Sequence, residues 1–338
     1  MTENFKAYSL GQAKDIMGRL GLDEYRGEQV FKWIWQKNAT DFSKMTNLSK
    51  ELRAFLGGKY VIAGPTIALV KQENEDARKY GLRLEDGEHI ESVFIREDRR
   101  RTICVSCQVG CPLDCKFCAT GLMGFKRNLA AHEIADQVRV IQTDVKEKCT
   151  NVVFMGMGEP LLNYSAVAQA LEIISSPLAL SIGRRHTTVS TVGLLDGIEQ
   201  LLRSPVRVKL AISLNFSDEE KRKELMPVAR TNPLRELLRV AKVYSLEKEM
   251  VTFEYVMLDG INDSLEDAKR LLGLLKGIPS KINLIPYNEH PRLPFKRPTD
   301  AKIEKFYKCL LDSFHTVVIR KSRGQRILAG CGQLSGEI

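Results

Sequence analysis

From residue 101 onward, short β-rich runs alternate with longer stretches of helical period. The runs are RTICVS, NVVFMG, HTTVST, VRVKLAISL, VTFEYVML and KINLIPY. Between them, apolar residues recur every three to four positions over 131–146, 163–175, 194–203, 233–247 and 264–276. A helix between two strands carries the chain back across the sheet, so the second strand lies parallel to the first. Six strand-then-helix units in series therefore predict an α/β fold, with a parallel sheet inside and helices outside. A closed barrel of this kind has eight units. Six predict a partial (β/α)6 barrel with an open side, which suits a large substrate.

The residues before this rhythm read differently. Residues 1–58 predict a small helical accessory domain, because SLGQAKDIMGRLGL and RGEQVFKWIWQK carry apolar residues at helical spacing. Asn47 is the expected N-cap of a third helix, Glu51 suits its first turn, and Gly57-Gly58 should end it. At least one of Trp33 and Trp35 is expected in the core. Residues 59–95 predict a β extension: YVIAGPTIALVKQ, RKYGLRLEDG and HIESVFIRE are rich in β-branched residues and broken by Gly and Pro. The barrel is expected over 96–320, and 321–338 as a C-terminal tail.

In a parallel α/β sheet, chemistry collects beyond the C-terminal ends of the strands. The distinctive residues obey that rule. GMGEP (156–160) follows the second run, STVG closes the third, SLN the fourth and PYN the sixth. After the first comes CVSCQVGCPLDCKFCATG, which holds five of the eight cysteines. The first residues contain no apolar core of signal-peptide length, and no apolar window is long enough to span a bilayer. A cytoplasmic protein with no membrane contact is expected. There, clustered cysteines point to metal or catalysis and away from disulfides. Cys111, Cys115 and Cys118 form C-x3-C-x2-C. A structural zinc site normally takes four protein ligands, and no second ligand pair is present. Three thiolates suit a [4Fe-4S] cluster with one iron left open.

CPLDCKFC resembles the signature loop of radical S-adenosylmethionine (SAM) enzymes. In them the open iron chelates SAM, and one-electron reduction cleaves SAM to methionine and a 5′-deoxyadenosyl radical. GMGEP resembles the same superfamily's glycine-rich element, with Gly158 and Glu159 at the methionine amino group. The resemblance narrows with CVSCQVGCPLDCKFCATGLMGFKRNL, VVFMGMGEPLLNY, ISLN, ELMPV, VMLDGINDS, NLIPYN and AGCGQL. Together they resemble the RlmN/Cfr family of RNA adenine methyltransferases. YRGEQVFKWIWQK and MTNLSKELR are similar to the accessory domain of the RlmN branch. The carbon-8 branch, Cfr, usually lacks this form of N-terminal segment.

The resemblance implies the reaction. Carbon-2 of adenine is electron-poor and does not attack the methyl group of SAM directly. Cys331, alone an unremarkable thiol between glycines, would take a methyl from one SAM. A second SAM, cleaved at the cluster, would supply the radical that removes hydrogen from that methyl. The methylene radical would add to the ring, and Cys104 would resolve the protein–RNA adduct, leaving a Cys104–Cys331 disulfide for a reductant to open. Two groups compete for the ring proton, Glu91 and Cys104. Further SAM contacts fall by position on Ser190, Ser213, Leu214, Asn215 and Asn288. Two residues depart from the family pattern: Cys107, where serine is usual, and Asn215, where histidine is common. A silent role is expected for Cys107, and ordinary apolar roles for Cys149 and Cys309.

The implied substrates are an adenosine in the peptidyl-transferase loop of 23S rRNA and the tRNA adenosine 3′ to the anticodon. The implied electron donor is a low-potential protein such as a flavodoxin or ferredoxin. The net charge of +9 fits a polyanionic partner. REDRRR (96–101), GRRH (183–186), KRK (221–223), FKR (295–297) and RKSRGQR (320–326) flank strands, and one shared rim is expected for them. A non-enzymatic iron–sulfur protein that binds RNA or passes electrons is the competing class. It leaves Cys331 unexplained.

Overall fold

A ten-stranded sheet organises the chain. The computed structural model describes residues 2–336. In chain order the sheet strands are β1 (Thr66–Glu73), β2 (Ala77–Arg83), β3 (His89–Glu97), β4 (Arg100–Cys104), β5 (Asn151–Phe154), β6 (Thr187–Thr191), β7 (Lys209–Ser213), β8 (Val251–Met257), β9 (Ser280–Pro286) and β10 (Thr316–Ile319). Spatial order equals chain order. Strands β1 to β4 are antiparallel neighbours, as their short connections require. Strand β4 is the pivot: it pairs antiparallel with β3 and parallel with β5. From there every pairing to β10 is parallel.

The six expected barrel strands are present, with helices Ala131–Val145, Tyr164–Ser175, Leu195–Arg203, Leu234–Glu247, Leu265–Leu275 and Asp300–Leu311 crossing between parallel neighbours. The sequence reading stops short of the last helix and of β10, a seventh parallel strand that pairs with β9. Alternation along each strand separates two faces. In β8, Phe253 and Tyr255 join the core beneath the helices, while Glu254 and Val256 face a cavity inside the sheet's curve. Buried helix residues such as Ile134, Val138, Leu171, Leu237, Leu271 and Phe306 complete that core.

Three helices, Leu10–Arg19, Tyr25–Trp35 and Lys50–Lys59, form the N-terminal region. Ser9 caps the first in a reciprocal box with Gln12. Ser49 caps the third, accepting from the Leu52 N–H at 3.2 Å. Asn47, the expected cap, instead accepts from the Trp33 indole. The helix also runs through Gly57-Gly58 to Lys59, with the Tyr60 N–H bonded back to Leu56. Trp35 is buried and Trp33 half-buried. A buried ion pair, Lys6 to Asp136 at 2.6 Å, fixes this region to the first barrel helix.

The basic clusters do not share one rim. REDRRR lies at the hairpin entering β4, and GRRH immediately precedes β6, so both sit at the N-terminal edge of the parallel strands. KRK follows β7, FKR follows β9 and RKSRGQR follows β10, at the C-terminal edge. Within the first cluster Arg96 and Arg101 are also tied up on Glu147.

Candidate active site

The C-terminal ends of the parallel strands surround a cavity of about 160 Å³. Its walls include Gly158, Glu159, Ser190, Ser213 and Asn215 from the strand ends, Cys115 and Cys118 from the cysteine loop, and Cys331. Glu159 is buried, and its carboxylate accepts from the Leu161 N–H at 3.0 Å and the Val192 N–H at 2.9 Å. Burial pushes its pKa up to about 7, because those amides offset only part of the lost hydration. A dry carboxylate on a cavity wall is a fitting partner for an ammonium group. Gly158 has φ +95, and a Cβ there would stand 2.5 Å from Gln108 Cβ, so the close approach that needs glycine is to this chain's own Gln108.

Asn215 adopts the left-handed conformation, φ 58, which asparagine tolerates better than most residues. Its Oδ1 accepts from the Val256 N–H at 3.1 Å and thereby ties the end of β7 to β8. The Leu214 side chain is buried in the main core and is not among the cavity-lining residues. Asn288 is not among them either. It donates to the Cys331 carbonyl at 3.2 Å and accepts from Gln325.

The cysteine loop hangs from a short antiparallel pair, Gln108–Gly110 with Phe125–Asn128. Gly110 is required there, since a Cβ would lie 1.8 Å from the Gly124 carbonyl oxygen. The Cys118 N–H bonds to the Cys115 carbonyl at 3.0 Å, which turns the two thiols into one bend. Burial raises the Cys111 thiol to about 12 and the Cys115 thiol well above its ordinary range, and the neighbouring thiols add to both. Crowded thiols in a dry site ionise only with a metal charge beside them, so the donor set fits a thiolate-bound cluster. Among the described residues no trio of Cys, His, Asp or Glu converges on a single-ion site. Thiols that each hold a different iron of one cluster have no need to.

Cys331 is brought to this loop by a chain of hydrogen bonds. Ala119 N–H donates to the Gly332 carbonyl at 2.7 Å, and Thr120 Oγ1 to the Leu334 carbonyl at 2.7 Å. Gln333 Nε2 donates to the Glu289 carbonyl at 2.7 Å. Cys104, at the end of β4, is pushed up to about 12 by burial first and by Cys331 second. Burial raises Cys331 as well, and Arg320 opposes the rise. Arg320 directly follows β10, with Nη1 3.6 Å from Glu254 Oε1 and 3.7 Å from the Met155 sulfur.

Glu91 is not among the cavity-lining residues. Its Oε1 pairs with Lys79 at 2.6 Å, and its Oε2 accepts from the backbone of Ser335 and Gly336. Cys107 is buried and its thiol donates to the Met157 carbonyl at 3.5 Å. Cys149 is buried and Cys309 half-buried. Sequence reasoning missed Arg320, and also Glu254 and Tyr287, which line the cavity. The available signal for the first two was a charge within, or directly after, an apolar strand.

The sequence pattern of the Radical SAM superfamily matches residues 105–272. That of the ribosomal RNA large subunit methyltransferase N-terminal domain matches residues 4–62. The dual-specificity RNA methyltransferase RlmN of Geotalea uraniireducens is 44% identical over 336 residues, 99% of this chain and 97% of the relative. That of Pelobacter propionicus is 45% identical over 341 residues, 100% of this chain and 98% of the relative. A radical SAM methyltransferase from Sphaerobacter thermophilus superposes with a TM-score of 0.93 at 39% identity, covering 99% of this chain and 100% of that one. With likeness over both the barrel and the N-terminal helices, the chain belongs to the RlmN family of radical SAM RNA methyltransferases, whose cofactors are a [4Fe-4S] cluster and SAM.

Proposed function

We propose that this protein methylates carbon-2 of an adenosine in the peptidyl-transferase loop of 23S rRNA and of the tRNA adenosine 3′ to the anticodon, with Cys331 as the methyl carrier. One observation carries the reading: Cys331 lines the same cavity as Cys115, Cys118 and Glu159, and Cys104 is its electrostatic neighbour. Cys111, Cys115 and Cys118 would hold the cluster. Glu159 would take the SAM ammonium, while Ser190, Ser213, Asn215 and the backbone of Gly158 and Leu214 would line the remainder of the cofactor. Bound there, the two cofactors supply a methyl group and a hydrogen-abstracting radical.

The chain's own residues do the rest. Arg320 favours the ionised form of Cys331, the form that accepts a methyl group. Asn288 holds the carrier's carbonyl and so orients its backbone. As a thiolate, Cys104 would attack the carrier sulfur. The S–S bond forms as the bond from sulfur to the methylene carbon breaks. That carbon keeps the electron pair and takes a proton to become the methyl group of the released base, and the two thiols end as a disulfide. For the ring proton we favour Cys104, because both oxygens of Glu91 are engaged elsewhere. Lys221 and Lys223, Lys296 and Arg297, and Lys321, Arg323 and Arg326, at the same edge as the cavity, are the phosphate contacts we assign, whereas Arg222 is buried and Arg320 serves Cys331. The electron donor would be a flavodoxin or ferredoxin, and the compartment the cytoplasm. Among the described residues no helix is long and apolar enough to cross a membrane.

The test is an anaerobic assay on 23S rRNA fragments and tRNA, read by nucleoside mass spectrometry. The product expected is 2-methyladenosine; 8-methyladenosine would move the chain to the Cfr branch. Cys331→Ala should give no product. Cys104→Ala should accumulate RNA joined to Cys331 through a carbon–sulfur bond that survives denaturation and thiols. Normal turnover by either variant sinks the two-thiol mechanism.

A further inference from the structure

Two charges are buried in the antiparallel extension. Lys79 on β2 stands opposite Val93, and Glu91 on β3 stands opposite Gly81, which makes the two diagonal neighbours across the strand pair. Their side chains are 4% and 1% exposed, with Nζ 2.6 Å from Oε1. Dehydrating two ions is costly, and an apolar pair of similar size often serves a core equally well. Stability alone therefore gives this pair little reason to exist.

The other carboxylate oxygen supplies the reason. Oε2 accepts from the N–H of Ser335 at 2.8 Å and of Gly336 at 3.1 Å. Successive amides aimed at one oxygen make an anion-binding nest, here with the anion supplied by the protein itself. Lys79 provides the counter-charge that a carboxylate needs in a dry site. Gly336 has φ +67, and a Cβ there would lie 2.2 Å from Met123 Cε, so the segment sits in a close-fitting seat. Four residues before Ser335 is Cys331.

We propose that Lys79 and Glu91 are positioning residues for methylation: together they seat residues 332–336 and so hold Cys331 at the cavity. The inference rests on the reading of Cys331 as methyl carrier. It takes Glu91 out of the reacting atoms and brings in Lys79. When the seat is lost, SAM cleavage continues and methyl transfer to RNA fails.

The experiment uses full-length, cluster-loaded protein. Glu91→Gln alone leaves Lys79 without a counter-charge, so the main variant is Lys79→Met with Glu91→Leu, which removes both charges and the acceptor. A second variant, Lys79→Met with Glu91→Gln, removes the charges but restores an oxygen for the two amides. Hydrogen exchange across the sheet reads the fold in both. In the first variant, amide exchange over 332–336 should quicken by about tenfold or more, the loss expected for bonds to a charged acceptor. Alkylation of Cys331 by iodoacetamide should quicken with it. Iron content and reductive SAM cleavage should stay at the parental level, while RNA methylated per SAM cleaved falls. The second variant should return part of the protection and part of the coupling. Parental exchange and alkylation in the first variant would overturn the proposal. If RNA product were lost in that case, Glu91 would be assigned to the ring proton. A loosened segment with unchanged methylation would also overturn it, whereas failure of the carrier reading shows separately, as product formed by Cys331→Ala.

Discussion

The cavity has two walls built on different principles. One consists of the ends of β5 to β9, whose places are set by sheet register and by a core of Phe253, Tyr255, Ile282 and Leu284 behind them. The other consists of the cysteine loop and residues 330–336, which lie largely outside the sheet; Ala119 and Thr120 bond to Gly332 and Leu334, and Gln333 bonds to Glu289 beyond β9. The strand wall inherits the stability of the whole domain. The loop wall rests on a few hydrogen bonds, to Glu91, Asn288 and Glu289 besides its own. The SAM-lining residues we propose sit on the strand wall, and the proposed cluster ligands and carrier on the loop wall, with Cys104 at the end of β4.

The largest effect expected from breaking that division is at the loop wall. Cys111→Ala, Cys115→Ala or Cys118→Ala should abolish SAM cleavage and leave thermal unfolding of the sheet nearly unchanged. Iron analysis and calorimetry on the same sample check it, and retained SAM cleavage in any of the three refutes the ligand assignment. Next is the strand wall. Phe253→Ala opens a cavity in the main core and should cost about 3–5 kcal/mol of global stability, measured by denaturant titration. A loss confined to the loops would show that the walls are not independent.

The third prediction concerns charge. Glu159 titrates near 7 because burial raises it, so in the free site it is protonated below that pH and ionised above it. An ammonium ligand binds the ionised form. SAM affinity for the unreduced, cluster-loaded protein should therefore rise with pH to about 7 and then level off, falling below it by up to about tenfold per pH unit. Calorimetric titration over this range checks it, and flat affinity would remove Glu159 from the SAM site. The smallest effect is the sharpest on the comparison. Thr120→Val removes the donor to the buried Leu334 carbonyl and should cost about 1–2 kcal/mol of local opening. Exchange should quicken over 332–336 and not in β5 to β9.

The strand wall was largely legible in the sequence and the loop wall only in outline. Period-two and period-3.6 patterns report which face of an element is buried, so the six predicted barrel strands follow from local order, while Ser190 and Ser213, which line the cavity, follow from the family resemblance. TVVI at 316–319 carries the same β-branched signal, but it is short and adjoins a basic run, so it does not stand out as a strand. The capping of the third helix shows another limit. Asn47 and Ser49 are both good caps, and a tertiary contact, the Trp33 indole, occupied Asn47. Glu254 meets Arg320 from two strands away in sequence, and Glu91 meets Ser335 across most of the chain, and no local pattern encodes such a meeting. The basic clusters misled for a similar reason: composition marks charge, but strand direction decides which edge receives it.

The Glu91–Ser335 contact closes a loop of 244 residues. A contact that distant repays its entropy cost only after the intervening chain is ordered. The ion pair, the cysteine loop and Glu289 must all be in place before the last segment has anywhere to dock. The expected order of folding is therefore the sheet first and residues 332–336 last. A molecule folded only in part would then hold Cys331, the carrier we propose, away from the cluster loop.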